Sequence, residues 1–268
     1  MRRVLLALMP LLLVACTTGG EVAPPTSSSP PKGDLAVLAE RIDQRRSELK
    51  TARFHTEGFA SDGASTEVRN VVDGTLRQEP EGVRGAMTMT MTTAGQNRKM
   101  DMVIAQEGIY VHVDGAPMPE GKRWGLYTSG NNGEVTALLR GFGPGATVGA
   151  ELDYVQPRAA LIVSKASEAV DGVAATRYDL VVDPLKMAKI IKDSDTQLQH
   201  TQLAEHGVTI NAVVWVDGEG TPVKAEYRFE LDGKVVKQST TRFMEWGGTF
   251  DVPLPPAAEV VPADQLPG

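Results

Sequence analysis

Cysteine is almost absent: the 268 residues hold one, Cys16. A lone thiol excludes a disulfide framework, so any folded part must be held together by burial of apolar side chains. Histidine is scarce too. His55, His112, His200 and His206 include no H-E-x-x-H pair. His200 and His206 sit in a polar stretch with a poor spacing for a shared metal, and both read as solvent-exposed. G-x-S-x-G does not occur, which removes the nucleophile elbow. Carboxylates are scattered, and nothing in their order selects a pair. Asp217-Gly218-Glu219-Gly220 lacks the ligand spacing of a calcium loop and reads as a hairpin turn. Basic clusters are missing as well, with 27 Lys and Arg against 34 Asp and Glu for a formal charge of −7. Such a chain has no electrostatic reason to hold nucleic acid or to lie flat on an anionic membrane. The expectation is a chain that is not an enzyme, with no metal, no cofactor and no nucleic-acid partner.

What is present begins at the N-terminus. Arg2 and Arg3 precede an apolar run from Val4 to Leu13 broken only by Pro10. That is the anatomy of a secretory signal, too short for a membrane span. Leu13-Val14-Ala15-Cys16 then looks like the bacterial lipobox, in which the thiol is alkylated and the chain cut before it. The resemblance implies residues 1–15 as a lipoprotein signal peptide and a diacylglyceryl thioether on Cys16. A free or buried cysteine behind an ordinary signal peptide is the alternative. Thr17 to Gly33, with Pro24-Pro25, Ser27-Ser28-Ser29 and Pro30-Pro31, has little to bury and reads as a tether within residues 16–33. Extended at ~3.1 Å per residue, it spans roughly 50 Å.

Beyond it, 41% apolar residues suffice for a core. Asp34 is a good N-cap for an amphipathic helix over Leu35 to Lys50, with Leu35, Leu38, Ile42 and Leu49 on one stripe. The period then turns to two. Arg53 to Ala60, Ser65 to Arg77, Val83 to Thr93, Arg98 to Gln106, Ile109 to Val113 and Lys122 to Tyr127 read as strands of a meander. Val135 to Leu139 and Pro157 to Ala166 read as helical, around a glycine-rich loop from Gly141 to Gly149 that does not suit a phosphate cradle. Val173 to Val182 is a strand. Asp183-Pro184 opens a helix whose buried side is Leu185, Ala188, Ile191 and Leu198. Lys186, Lys189 and Lys192 share its neighbouring face, solvated or facing lipid phosphates. Val208 to Val216, Val223 to Leu231 and Lys234 to Phe243 are strands, the last two joined by Asp232-Gly233 as a two-residue turn. From Pro253 the prolines should end any sheet.

Methionine is the positive signal. Met87, Met89 and Met91 alternate with threonines, and Met100, Met102 and Ile104 follow the same period on the next strand. Each set occupies one face, side by side across the pair. Unbranched, polarizable side chains adapt to irregular space, which suits the wall of an acyl-chain cavity as well as an ordinary sheet core.

The layout resembles the LppX/LprG-type lipoproteins of actinobacteria, which have a LolA/LolB-like fold. The stretches that carry the resemblance are Leu49-Lys50-Thr51-Ala52, Tyr178-Asp179-Leu180-Val181-Val182-Asp183, and Val214-Trp215-Val216-Asp217 through Gly220-Thr221-Pro222-Val223-Lys224 to Glu245-Trp246-Gly247. It implies an α+β fold over residues 34–256: one strongly curved antiparallel sheet of about eight to eleven strands, a half-barrel wrapped around helices with an apolar cavity. Residues 257–268 would be a proline-rich tail. It also implies binding and carriage of an acylated lipid or lipoglycan on the outer face of the cell membrane, with an envelope transporter as a possible partner. The cavity would be lined by Met87, Met89, Met91, Met100, Met102 and Ile104. The alternative function is an envelope sensor or scaffold that uses the same fold for protein contacts.

Overall fold

The period-two segments pair mostly with their sequence neighbours, and the result is one sheet rather than two stacked ones. The structure, a computed structural model, describes residues 33–61, 67–80, 82–128, 151–192 and 194–266. The signal segment, Cys16, the tether up to residue 32, the expected helix at 135–139 and the glycine loop at 141–149 lie outside the described residues. Residues 32–268 form one compact unit.

Helix α1 (Asp34–Leu49) leads into β1 (Thr51–Ser61), β2 (Glu67–Glu79), β3 (Gly82–Thr93), β4 (Gln96–Ala105), β5 (Gly108–Val113) and β6 (Trp124–Tyr127). A 3-10 turn (Leu152–Tyr154) precedes β7 (Ala160–Val170) and β8 (Val173–Val182). Two short helices follow, α2 (Pro184–Ala188) and α3 (Ser194–Glu205). The chain finishes with β9 (Thr209–Asp217), β10 (Pro222–Leu231), β11 (Lys234–Met244) and β12 (Val260–Pro262). The strand order is β12-β6-β5-β4-β3-β2-β1-β11-β10-β9-β8-β7, a large, curved, open and mostly antiparallel sheet. β1 joins the two runs by pairing with both β2 and β11. At Asp232-Gly233 both φ angles are positive, 51° and 74°. That is the backbone a two-residue hairpin needs to match strand twist.

One face of the sheet is covered. Leu35, Leu38 and Ile42 of α1 enter the same core as Phe54, Val72, Leu180, Ile210 and Phe229 of the strands. The side chains of Arg41 and Arg45 tie α1 to the β9–β10 turn: Arg41 donates to the Gly218 carbonyl at 3.0 Å and Arg45 to Thr221 Oγ1 at 3.2 Å. At Gly74, opposite Phe54, an added Cβ would stand 2.6 Å from the Phe54 ring and 2.7 Å from the Ala86 carbonyl. The phenyl group covers the glycine and fills its missing side chain.

Several expectations fail, each for a local reason. Gly33, not Asp34, is the N-cap of α1; its carbonyl accepts from Ala36 at 2.9 Å and Val37 at 3.2 Å, while Asp34 sits in the first turn, where the helix dipole favours an acid. The segment Pro157 to Ala166 is not helical. Residues from Ala160 onward form β7, because Leu161-Ile162-Val163 is a branched run that pairs with β8. The helix after Asp183 stops at Ala188, although Asp183 caps it as expected by accepting from the Lys186 N–H at 3.0 Å. The break rotates the stripe: Met187 and Ala188 are buried, Leu185 and Leu198 are exposed. Lys189 and Lys192 therefore lie beyond α2, off the helix face that was to hold three lysines. Among the described residues the sheet has twelve strands, not eight to eleven, and the tail does continue it. Val260–Pro262 pairs parallel to β6. A proline is tolerated there because β12 is an edge strand that needs ladder bonds on one side only.

Candidate functional site

The covered face of the sheet carries one cross-strand row that runs from the methionines to the aromatic strands. Met100 stands opposite Met89, and Met89 opposite Val72. The row goes on through Thr56 and Thr241. It ends on Ala225, Val214 and Tyr178. All eight are under a tenth exposed. Met87 faces Met102 one row along. Met87, Met91, Met100 and Met102 are buried with Met89, and Ile104 packs half-buried against the same core. The six positions therefore share one inward face.

The row changes character at its centre, and sequence reading missed this. Thr56 and Thr241 share a hydroxyl–hydroxyl hydrogen bond of 2.6 Å. Beside them Ser239 Oγ donates to Glu151 Oε1 at 2.5 Å. Glu151 is 1% exposed, and its Oε2 has no hydrogen-bond partner. Tyr227, directly opposite Ser239 on β10, packs its ring 5.2 Å from Tyr154 and 5.2 Å from Phe229. The Tyr154 hydroxyl and His200 Nε2 approach to 3.5 Å, and His200 Nδ1 reaches the Thr196 carbonyl at 2.9 Å. His200 is thus buried, contrary to the expected exposure, because α3 turns it under the sheet. Lys237, two residues from Ser239 on the same face, places Nζ 5.2 Å from the centre of the Phe229 ring and 5.7 Å from that of Tyr227.

Burial sets the charge state of this group. It pushes the carboxyl of Glu151 up, against hydrogen bonds from Ser239 and Thr241. It raises the Tyr154 and Tyr227 hydroxyls and lowers His200 and Lys237. All five shifts favour the neutral form, the signature of a site removed from water. The signal was present in Lys237-Gln238-Ser239-Thr240-Thr241, whose alternate members share a face with buried Phe243.

Among the described residues no group of His, Cys, Asp and Glu is arranged to hold a metal, and no helix is long and apolar enough to cross a membrane. Of the motifs behind the resemblance, Tyr178, Leu180 and Val214 enter the covered core, while their tryptophans are scaffold on the opposite face and at a strand end. Trp215 donates to Glu168 Oε2 at 3.0 Å and lies under the Lys224 ammonium at 4.3 Å, while Trp246 donates to the Pro222 carbonyl at 2.8 Å.

No family model matches the chain, and no curated protein matches it. Among solved structures it is similar to the lipoprotein LppX of Mycobacterium tuberculosis, at 15% identity and a TM-score of 0.45 over 82% of this chain and 100% of that one. It is also similar to a LolA superfamily protein from Nitrosomonas europaea, at 11% identity and a TM-score of 0.25 over 79% of this chain and 91% of that one. A DUF1329 family protein from Desulfovibrio piger matches at 10% identity and a TM-score of 0.30, over 78% and 89%.

Proposed function

We propose that this chain is a membrane-anchored lipoprotein that binds acylated lipids or lipoglycans on the covered face of its sheet and carries them across the cell envelope. The observation that carries the reading is the inward methionine face of β3 and β4, five methionines in register across two neighbouring strands. A rigid core is better specified by branched side chains; methionine suits a wall that must accept a changing partner. Burial of each CH₂ group is worth about 0.8 kcal/mol, so ten inserted carbons gain roughly 8 kcal/mol before ordering costs. Export, the lipid on Cys16 and the location on the outer face of the cell membrane rest on the N-terminal sequence.

The test is native mass spectrometry of the chain purified gently from its own host, beside a melting curve and lipid count for Met89→Trp. In a lipid-filled interior the bulky ring displaces ligand and lowers occupancy while the melting point holds. In a filled core it overpacks and destabilises by ~1–3 kcal/mol. Loss of stability in the variant, with no lipid on the parent, overturns the proposal.

A second reading, an envelope protein that uses the fold for protein contacts, is favoured by one feature. Leu161 and Val163 of the edge strand β7 and Val181 of β8 are 72%, 60% and 44% exposed. Neighbouring apolar side chains left open on a sheet edge suit a partner surface. A lipid-free chain that co-purifies with a protein lost on Leu161→Lys would establish it.

A further inference from the structure

We infer that the ligand enters this interior by an acidic head, a long-chain carboxylate whose two oxygens are received by the Lys237 ammonium and the Glu151 carboxyl group. The inference rests on the lipid-binding reading and narrows it from acylated lipids at large to those that present a free carboxylate. Two polar groups on the covered face are left without partners. Glu151 Oε2 has none although the residue is 1% exposed. Lys237 makes no ion pair or hydrogen bond among the described residues; its ammonium lies over the Tyr227 and Phe229 rings, with His200 near enough to feel its charge. A cation partly withdrawn from water with no counter-charge, and a buried carboxyl with one idle oxygen, are both unfavourable unless something completes them.

Their placement defines what fits. Glu151 is fixed on Ser239, and Lys237 lies two residues along the same strand face, about 7 Å away. Tyr227 and Phe229, opposite Ser239 and Lys237 on β10, form the floor between the two groups. A carboxylate presents two acceptor oxygens and one negative charge to this pair. One oxygen takes the ammonium, and the other takes the proton of the Glu151 acid. A phosphate, with more charge and more acceptors, draws arginine forks or several donors, and this cluster offers one lysine. A neutral alcohol would leave the ammonium uncompensated. From β11 the row crosses β1 and β2 to reach the methionines of β3, about 14 Å at the usual strand spacing. A chain of about a dozen carbons spans that distance.

The experiment measures binding of palmitate, hexadecanol and hexadecyl phosphate to the delipidated full-length chain and to Lys237→Met, with circular dichroism to confirm folding. The expected result is about a tenfold preference of the parent for palmitate over hexadecanol. In Lys237→Met that preference disappears while the affinity for hexadecanol is kept. Lys237→Gln gives the same readout through a second side chain should the methionine variant fail to fold. Equal binding of acid and alcohol by the parent, or a preference that survives both substitutions, overturns the inference and leaves lipid binding standing. Tighter binding of hexadecyl phosphate than of palmitate overturns the carboxylate assignment. Binding of none of the three overturns both this inference and the lipid-binding reading.

Discussion

Glu151 is the residue on which the interior turns. A carboxyl with 1% exposure is held toward its acid form by burial, against hydrogen bonds from Ser239 and Thr241, so its folded-state pKa lies above the unfolded one. The sign follows from linkage. The folded state binds the proton more tightly, so this group's contribution is fully present below the ordinary glutamate range. It is lost as pH rises through the raised value, at about 1.4 kcal/mol for each unit between the two states. Glu151→Gln keeps the shape and the acceptor for Ser239 but cannot ionise. Urea titrations at about pH 5 and about pH 9 should show the variant gaining on the parent as pH rises. A constant difference between the two at both pH values would mean that Glu151 is not a buried acid. The methionines make the contrasting case at the same scale. Met89 and Met100 have no charge state to shift, and their contribution is burial alone.

Among the elements, β12 shows most clearly how a weak local signal becomes structure. Two valines followed by a proline are too short a run to signal a strand, yet Val261 is 5% exposed and pairs with Gly125 of β6. The flanking backbone is tied down as well: the Arg123 N–H donates to the Glu259 carbonyl at 2.8 Å and Lys122 Nζ to the Ala258 carbonyl at 2.9 Å. A chain ending at Pro256 should lose about 2 kcal/mol, the worth of one buried valine. For a domain of this size that lowers the melting temperature by roughly 4–8 °C. It should also aggregate faster, since truncation uncovers the edge of β6. A calorimetric scan with light scattering checks both effects, and an unchanged midpoint would show that β12 adds nothing. The element that misled sequence reading is β7. Ala159-Ala160-Leu161-Ile162 fits a helix stripe as well as a strand, and only its pairing with β8 decides.

At the scale of the whole molecule the anchor and the folded unit are separate claims. The chain's formal charge is −7, a balance that gives an anionic membrane surface little to attract. In the proposed reading, attachment depends on the lipid on Cys16. One acyl chain gives marginal binding and two or more give stable anchoring. Cys16→Ser should leave an unprocessed or released chain, moving it from the membrane pellet to the soluble fraction while its melting curve stays that of the parent. Membrane fractionation that finds the variant as firmly bound as the parent would remove the lipoprotein reading. The interior would still be free to bind lipid.

Sequence alone determined what depends on neighbours a few residues apart. The amphipathic period of α1, the alternation of β3, β4 and β10, the Asp183-Pro184 helix start and the Asp232-Gly233 turn are all local chemistry. So is the single-sided methionine pattern, because side chains two apart on a strand must share a face. Tertiary structure decided the rest. It set which strand β1 joins on its far side, that β12 closes onto β6, and that Ala160 to Val170 is a strand and not a helix. It also assembled Glu151, Ser239, Tyr227, His200 and Lys237, which come from four separate stretches of chain. No local pattern marks such a cluster. Its members are drawn together by long-range strand pairing, and burial acts on their protons only once that pairing has removed the water.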